Sequence, residues 1–370
     1  MLSLRVKLYV IIIILTALVF TSNANAGLYG FNHYNPYTKE ERVLNLKEVP
    51  KHIRNYRAAM RNNLLMLIRF AKEKKPDFKI VVHEGEDLLT KSMWEYSREG
   101  YNRARFSDNV EDDYFLFHHN YFAIEPTLDT PAYEYLHSLD AIILNDIYCG
   151  ENFPVNPIIK NHHLDLISIE YCANEDSLNE AKISAIADGR SIYAFTSLDD
   201  AFKGIGDYSM INDSSKNIYN IGDAQNILIL NDDTLYSSAE ELANDISKTN
   251  YDIVIIKPLF KYRKRFSSLD LQKMRFKKNG TKRLLLAEFN VSEANPQEYY
   301  WNIKWKPGAP DWLVRQSFSN SDSIITRYWE LEWRKIISRY FKDILNEGFD
   351  GVFFTGLENH QYFEQQNPLE

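Results

Sequence analysis

Carboxylates recur at one kind of place in this chain, just after a short apolar run. Phe78–Val82 is followed by His83-Glu84, Ile142–Leu144 by Asn145-Asp146, and Leu164–Ile169 by Glu170-Tyr171. Leu284–Ala287 is followed by Glu288-Phe289-Asn290, with Ser292-Glu293 beyond, and Val352–Phe354 by Thr355-Gly356-Leu357-Glu358. Ile253–Ile256 ends instead on Lys257. Carboxyls collected this way can divide acid and base roles when their surroundings push their pKa values apart. The acid/base candidates are Glu293, Asp146 and Glu358. Lys257 brings a charge able to hold one carboxylate ionised. His83, Glu84, Glu170, Tyr171 and Thr355 stand where a wall around such a site would be, and Tyr328 offers a ring for stacking.

Other chemistries find less support. A net charge of -8, pI about 5.7 and no basic stripe argue against a nucleic-acid partner. There is no G-x-G-x-x-G or P-loop, and no cofactor is expected. His118-His119 and His162-His163 are adjacent pairs, and neighbours on a strand point to opposite faces, so no metal site is expected. Two cysteines are too few for a disulfide scaffold or a structural zinc site. Cys149 and Cys172 each follow an apolar run, and both a disulfide and two separate thiols remain open.

These residues need elements to position them. Residues 1–26 read as a cleaved signal peptide: Arg5 and Lys7, an apolar run from Leu8 to Phe20, then Ala24-Asn25-Ala26. That run is short of the roughly 20 residues of a bilayer span, and no later segment could cross one. The expected location is secreted or periplasmic. Residues 27–50 form an extended lead-in, and a helical stripe follows over Lys51–Lys75. Eight short apolar strands then alternate with helical patterns over Ser177–Asp188, Ser237–Lys248, Ser267–Lys278 and Trp329–Asn346. That alternation implies a parallel sheet buried on both faces. Eight units in roughly 320 residues fit an α/β protein with a single (β/α)8 TIM barrel over 51–370, with a doubly wound open sheet as the alternative. Barrel chemistry sits at the C-terminal strand ends, where these polar clusters fall. Lys91–Thr130 reads as an insertion on that face.

Several segments resemble a known family. Gly348-Phe349-Asp350-Gly351-Val352-Phe353-Phe354 resembles a strand motif of the glycoside hydrolase family 114 barrels, the endo-α-1,4-polygalactosaminidase-like extracellular proteins. Ser292-Glu293-Ala294-Asn295 with Tyr300-Trp301, Pro310-Asp311-Trp312-Leu313, Tyr328–Trp333, Pro76–Glu86 and Asp140–Asp146 are similar to further elements of that family. The order differs: segments similar to the family's C-terminal half occupy 51–200, and those similar to its N-terminal half occupy 217–364. The resemblance therefore implies a circularly permuted barrel, with Gly351–Thr355 pairing against Phe78–Val82. It also implies an amino-sugar-containing polysaccharide as ligand, cleaved by two carboxyl groups flanking the glycosidic bond. Those carboxyls fall at Thr355 and Asn145, which cannot exchange protons as carboxyls do. Lys257 stands at a family Asp, Glu298 at an Arg, and His83 and Glu84 at amides. Glu293 matches a family glutamate, and Glu358 conservatively matches an Asp. Either other carboxyls do the work, or the chain is a pseudoenzyme that binds carbohydrate or serves the cell envelope.

Overall fold

A computed structural model of the chain describes residues 54–91, 95, 131–150, 155–197, 201–205, 213–318 and 320–366. The signal peptide, the lead-in, His118-His119 and nearly all of the 91–130 insertion lie outside the described residues. Eight parallel strands form one sheet: β1 Lys79–His83, β2 Ala141–Asn145, β3 Asp165–Tyr171, β4 Ile192–Phe195, β5 Ile227–Leu230, β6 Ile253–Ile256, β7 Leu284–Asn290 and β8 Gly351–Thr355. Their order is β4-β3-β2-β1-β8-β7-β6-β5. β4 and β5 touch without a ladder, and Ser191 Oγ donates to Ala224 O at 2.8 Å across that seam. The result is a nearly closed (β/α)8 barrel. Among the described residues no helix is long and apolar enough to cross a membrane.

The expected pairing of β1 with β8 is present, in the register Lys79↔Gly351 to Val82↔Phe354. It depends on glycine, because a Cβ on Gly351 would lie 2.5 Å from Lys79 O and 2.7 Å from the Leu286 side chain. The neighbouring Asp350 is structural. Its Oδ2 accepts from Leu285 N at 3.0 Å and its carbonyl from Lys79 N at 2.9 Å, joining β7 and β1 to the start of β8.

The helices surround this sheet: α1 Tyr56–Lys74, α2 Tyr133–Leu136, α3 Pro157–Asn161, α4 Glu175–Ala187, α5 Ala239–Ser247, α6 Ser268–Met274, α7 Leu331–Glu347 and α8 Asn359–Gln366. α1 starts later than its apolar stripe because Asn55 caps it, its side chain accepting from Ala58 N at 2.8 Å. Its buried face, Met60, Leu64, Leu67, Ile68 and Ala71, packs against α7 and α8. Each of the larger side chains contributes about 1.5–3 kcal/mol by leaving water. α6 stops short of Lys278, where Lys277 N turns back to Thr281 O. α7 ends as expected at Gly348, whose φ of 101° only glycine adopts readily.

Two strands run past their apolar stretches. β3 reaches Tyr171, paired with Phe195, and β7 reaches Asn290, paired with Thr355. Since side chains alternate along a strand, those extra residues decide which acids face the barrel interior.

Candidate functional site

The ladders set the direction of each side chain at the mouth. Phe289 and Phe354 pack against Phe341 on α7, so their strand neighbours Glu288 and Phe353, paired with each other, face the barrel axis. Val81 pairs with Phe353, and His83, two residues on, faces the same way with its ring 5.5 Å from that of Phe353. Continuing round, His83↔Ile143 and Asn145↔Ile169 place Asn145 and Tyr171 inward, with Tyr171 against Phe195. Thr355 shares the Phe353 side of β8. His83, Asn145, Tyr171, Glu288 and Thr355 therefore all face the barrel axis near the C-terminal strand ends, where Lys257 follows β6.

Glu84 follows with φ 56°, and Gly85 with φ 74°. This left-handed turn returns the Glu84 carboxyl to β2, where Oε1 accepts from Asn145 N at 2.8 Å. Asn145 Oδ1 meets His83 Nε2 at 3.1 Å. Burial raises the Glu84 pKa to about 7, and Glu358 and Glu86 add to the rise, while His83 and the Asn145 N–H oppose it. Glu84 thus holds a proton for much of the time at neutral pH.

Glu288 was passed over in the sequence because it follows the apolar run Leu284–Ala287 as one more polar residue. The longer β7 turns it inward. Its pKa is raised by burial, against the charge of Lys257, a hydrogen bond from the Asn231 side chain and the His83 ring. Lys257 also faces Glu298, whose carboxyl is pushed up to about 7 by burial while Tyr340 donates to it at 3.2 Å. Lys257 itself donates to Tyr262 at 2.7 Å. Buried side-chain oxygens with no hydrogen-bond partner among the described residues include Glu288 Oε2, Glu298 Oε2, Glu358 Oε2 and Thr355 Oγ1, all at this mouth.

Glu293 is present but fully engaged. Ser317 Oγ and Asn359 Nδ2 donate to its Oε1 at 2.6 and 3.0 Å, and Asn290 Nδ2 to its Oε2 at 3.2 Å. Burial, with the charge of Glu358, raises its pKa against those donors. The same network sets the β8 loop: Ser292 Oγ donates to Gly356 O at 2.5 Å and accepts from Asn359 at 2.8 Å. Gly356, with φ 79°, is needed here because a Cβ would collide with Asn290 Oδ1 and Ser292 Oγ.

Three predicted site residues lie elsewhere or serve another purpose. Tyr328 is fully buried, and its hydroxyl donates to Tyr56 O at 2.8 Å among Trp329 and Phe363, so it cannot stack on a ligand. Glu170 faces away from the axis, because β3 continues through it. Its carboxylate accepts from Ile147, Tyr148 and Cys149 N at 2.9, 3.0 and 2.8 Å and from the Ser168 hydroxyl, fixing the loop after β2. Asp146, with φ 53°, accepts from Tyr171 N at 2.9 Å and orients that rim residue. Cys149 and Cys172 form a disulfide that ties the loops after β2 and β3 together. Two cavities of about 320 and 540 Å³ sit at the opposite, N-terminal end, around Asp165, Arg190 and Gly222.

No protein-family model matches the chain. It is similar to an uncharacterized protein of Methanocaldococcus jannaschii, 26% identical over 181 residues, covering 46% of this chain and 49% of the relative. It is also similar to uncharacterized proteins of Thermotoga maritima, 25% identical over 84 residues (23% and 26% covered), and of Deinococcus radiodurans, 29% identical over 79 residues (21% and 26% covered). The chain spans about half or less of the length of these curated relatives.

Proposed function

We propose that the chain is an exported, glycoside-hydrolase-like barrel that takes an amino-sugar-containing polysaccharide at its C-terminal mouth. The observation that carries this reading is the set of buried, unpartnered oxygens there, on Glu288, Glu298, Glu358 and Thr355. Leaving a buried acceptor unmade costs about 1–3 kcal/mol, which ligand hydroxyl or ammonium donors would recover. Glu84, Glu288, Glu298 and Glu358 gather there beside Lys257 as acceptors for the hydroxyl and ammonium donors of a glucosamine- or galactosamine-type chain, while the Glu293 oxygens are taken within the chain. Tyr171, 41% exposed on the rim, offers a ring to a sugar face. The Cys149–Cys172 disulfide supports an oxidising compartment and so export.

A permuted barrel is part of the same reading. Among the described residues the seam without a ladder, β4 to β5, is also crossed without an α-helix, whereas the chain ends are bridged by the long α1.

A second reading, binding without cleavage, is favoured by Thr355 and Asn145 at the positions where the resemblance implies carboxylates. Incubation of the purified protein with α-1,4-linked galactosaminoglycan and other amino-sugar polymers separates the two. New reducing ends support a hydrolase; retention of polymer without cleavage supports the binding protein. A protein that neither binds nor cleaves any amino-sugar polymer overturns the proposal.

A further inference from the structure

We propose that Glu288 and Glu84 are the catalytic carboxyl pair of this barrel, Glu288 as general base and Glu84 as general acid, at positions other than Thr355 and Asn145. The inference rests on the glycoside-hydrolase reading above and assigns its chemistry to residues of this chain.

The geometry distinguishes these two from the other acids. Glu293 has both carboxylate oxygens occupied by three donors, and Glu170 has its own taken by three backbone N–H groups and a hydroxyl. Asp146 is held to Tyr171 N. Glu288 faces the axis, held by Asn231 on one side, with Oε2 buried and unpartnered. Glu84 is held through one oxygen by Asn145 N, and no hydrogen bond engages its other oxygen among the described residues. The His83 ring lowers the pKa of both carboxyls.

Their surroundings differ in the charges beside them. Glu84 faces His83, Glu86 and Glu358, and burial with the two neighbouring acids keeps it protonated up to about pH 7. Glu288 faces His83, Glu298 and Lys257; burial raises its pKa on balance, and Lys257, Asn231 and His83 oppose that rise. In the step, Glu288 takes a proton from water as the water oxygen bonds to the anomeric carbon. The bond from that carbon to the leaving oxygen breaks, and the leaving oxygen takes the Glu84 proton. Both carboxyls then return to their starting states by exchange with solvent. Glu358 tunes the pair, its charge raising Glu84.

The test uses the full mature protein and galactosaminoglycan oligomers, reading reducing ends, oligomer retention and melting temperature. Glu288→Gln and Glu84→Gln are expected to lose at least about 100-fold in cleavage, a larger loss than in oligomer retention, with unchanged melting. Glu358→Gln is expected to weaken oligomer retention and to move the alkaline limb of the pH profile to lower pH. Glu293→Gln is expected to retain cleavage in proportion to the folded fraction. Wild-type cleavage that survives Glu288→Gln or Glu84→Gln overturns the inference alone. A wild type that binds without cleaving also overturns it and leaves the binding reading standing. A wild type that neither binds nor cleaves removes both.

Discussion

Replacing Asp87 by Asn should destabilise the protein in a pH-dependent way. His360 is fully buried between two acceptors: Nδ1 meets Leu357 O at 2.7 Å and Nε2 meets Asp87 Oδ2 at 2.8 Å. Neither partner can donate, so both ring nitrogens carry hydrogen and the ring is a cation. Burial opposes that charge, but Asp87, with Glu364 behind it, raises the His360 pKa above its usual value. Burial likewise opposes the Asp87 carboxylate, yet His360, Arg57 and Gln361 hold it well below the usual range. Removing one partner of a buried pair costs about 3–5 kcal/mol. With 28% of the Asp87 side chain still open to solvent, screening reduces this to about 2–3 kcal/mol.

The raised imidazole contributes stability that is complete below its unfolded value of about 6.5 and is lost as pH rises through its folded value. The depressed carboxylate contributes stability that is complete above about 3.9 and is lost as pH falls through its folded value. Both are complete between about pH 4 and 6.5. Urea unfolding at about pH 5.5 should therefore show Asp87→Asn weaker by the 2–3 kcal/mol above, and at about pH 9.5 the gap should shrink. A gap equal at both values, or wider at the higher one, would refute a charged His360.

Two further substitutions test the placement of residues around the mouth. Tyr328→Phe should cost about 1 kcal/mol, since Tyr56 O loses its donor, and should leave polymer retention unchanged; weakened retention at full stability would return Tyr328 to the site. Replacing Cys149 and Cys172 together by Ser should cost about 3 kcal/mol, the loop-closure entropy for a separation of 23 residues, read as lowered melting. A loss under about 1 kcal/mol would mean that the Glu170 hydrogen bonds alone hold the two loops.

The barrel was legible because β1, β2, β4, β5, β6 and β8 announce themselves as short apolar runs closed by polar residues. The site was less so, and the reason is the same in both strands that misled. β3 and β7 remain laddered beyond their apolar residues, since pairing depends on backbone groups that every residue carries. Counting strand ends from hydrophobicity therefore stopped β3 before Glu170 and β7 before Glu288. One extra pair turned Glu170 outward to fix a loop, and another turned Glu288 toward the axis. Tyr328 failed for a different reason: a Tyr-Trp pair at a helix start has no signal that separates a core stack from an exposed one.

The segment Gly348–Glu358 draws these threads together, because each residue type in it answers a separate demand. Gly348 ends α7 at positive φ, Asp350 joins β7 to β1, Gly351 admits Lys79 O, and Gly356 admits Asn290 and Ser292. These requirements concern fold and loop position, and none of them involves Thr355 or Glu358. Those two are the residues of the segment whose buried oxygens have no partner among the described residues. A loop braced by Ser292, Asn359 and Glu293, yet presenting uncompensated oxygens to the barrel axis, costs stability with no return in the free fold. Donors from outside the chain that reach the mouth would recover that cost.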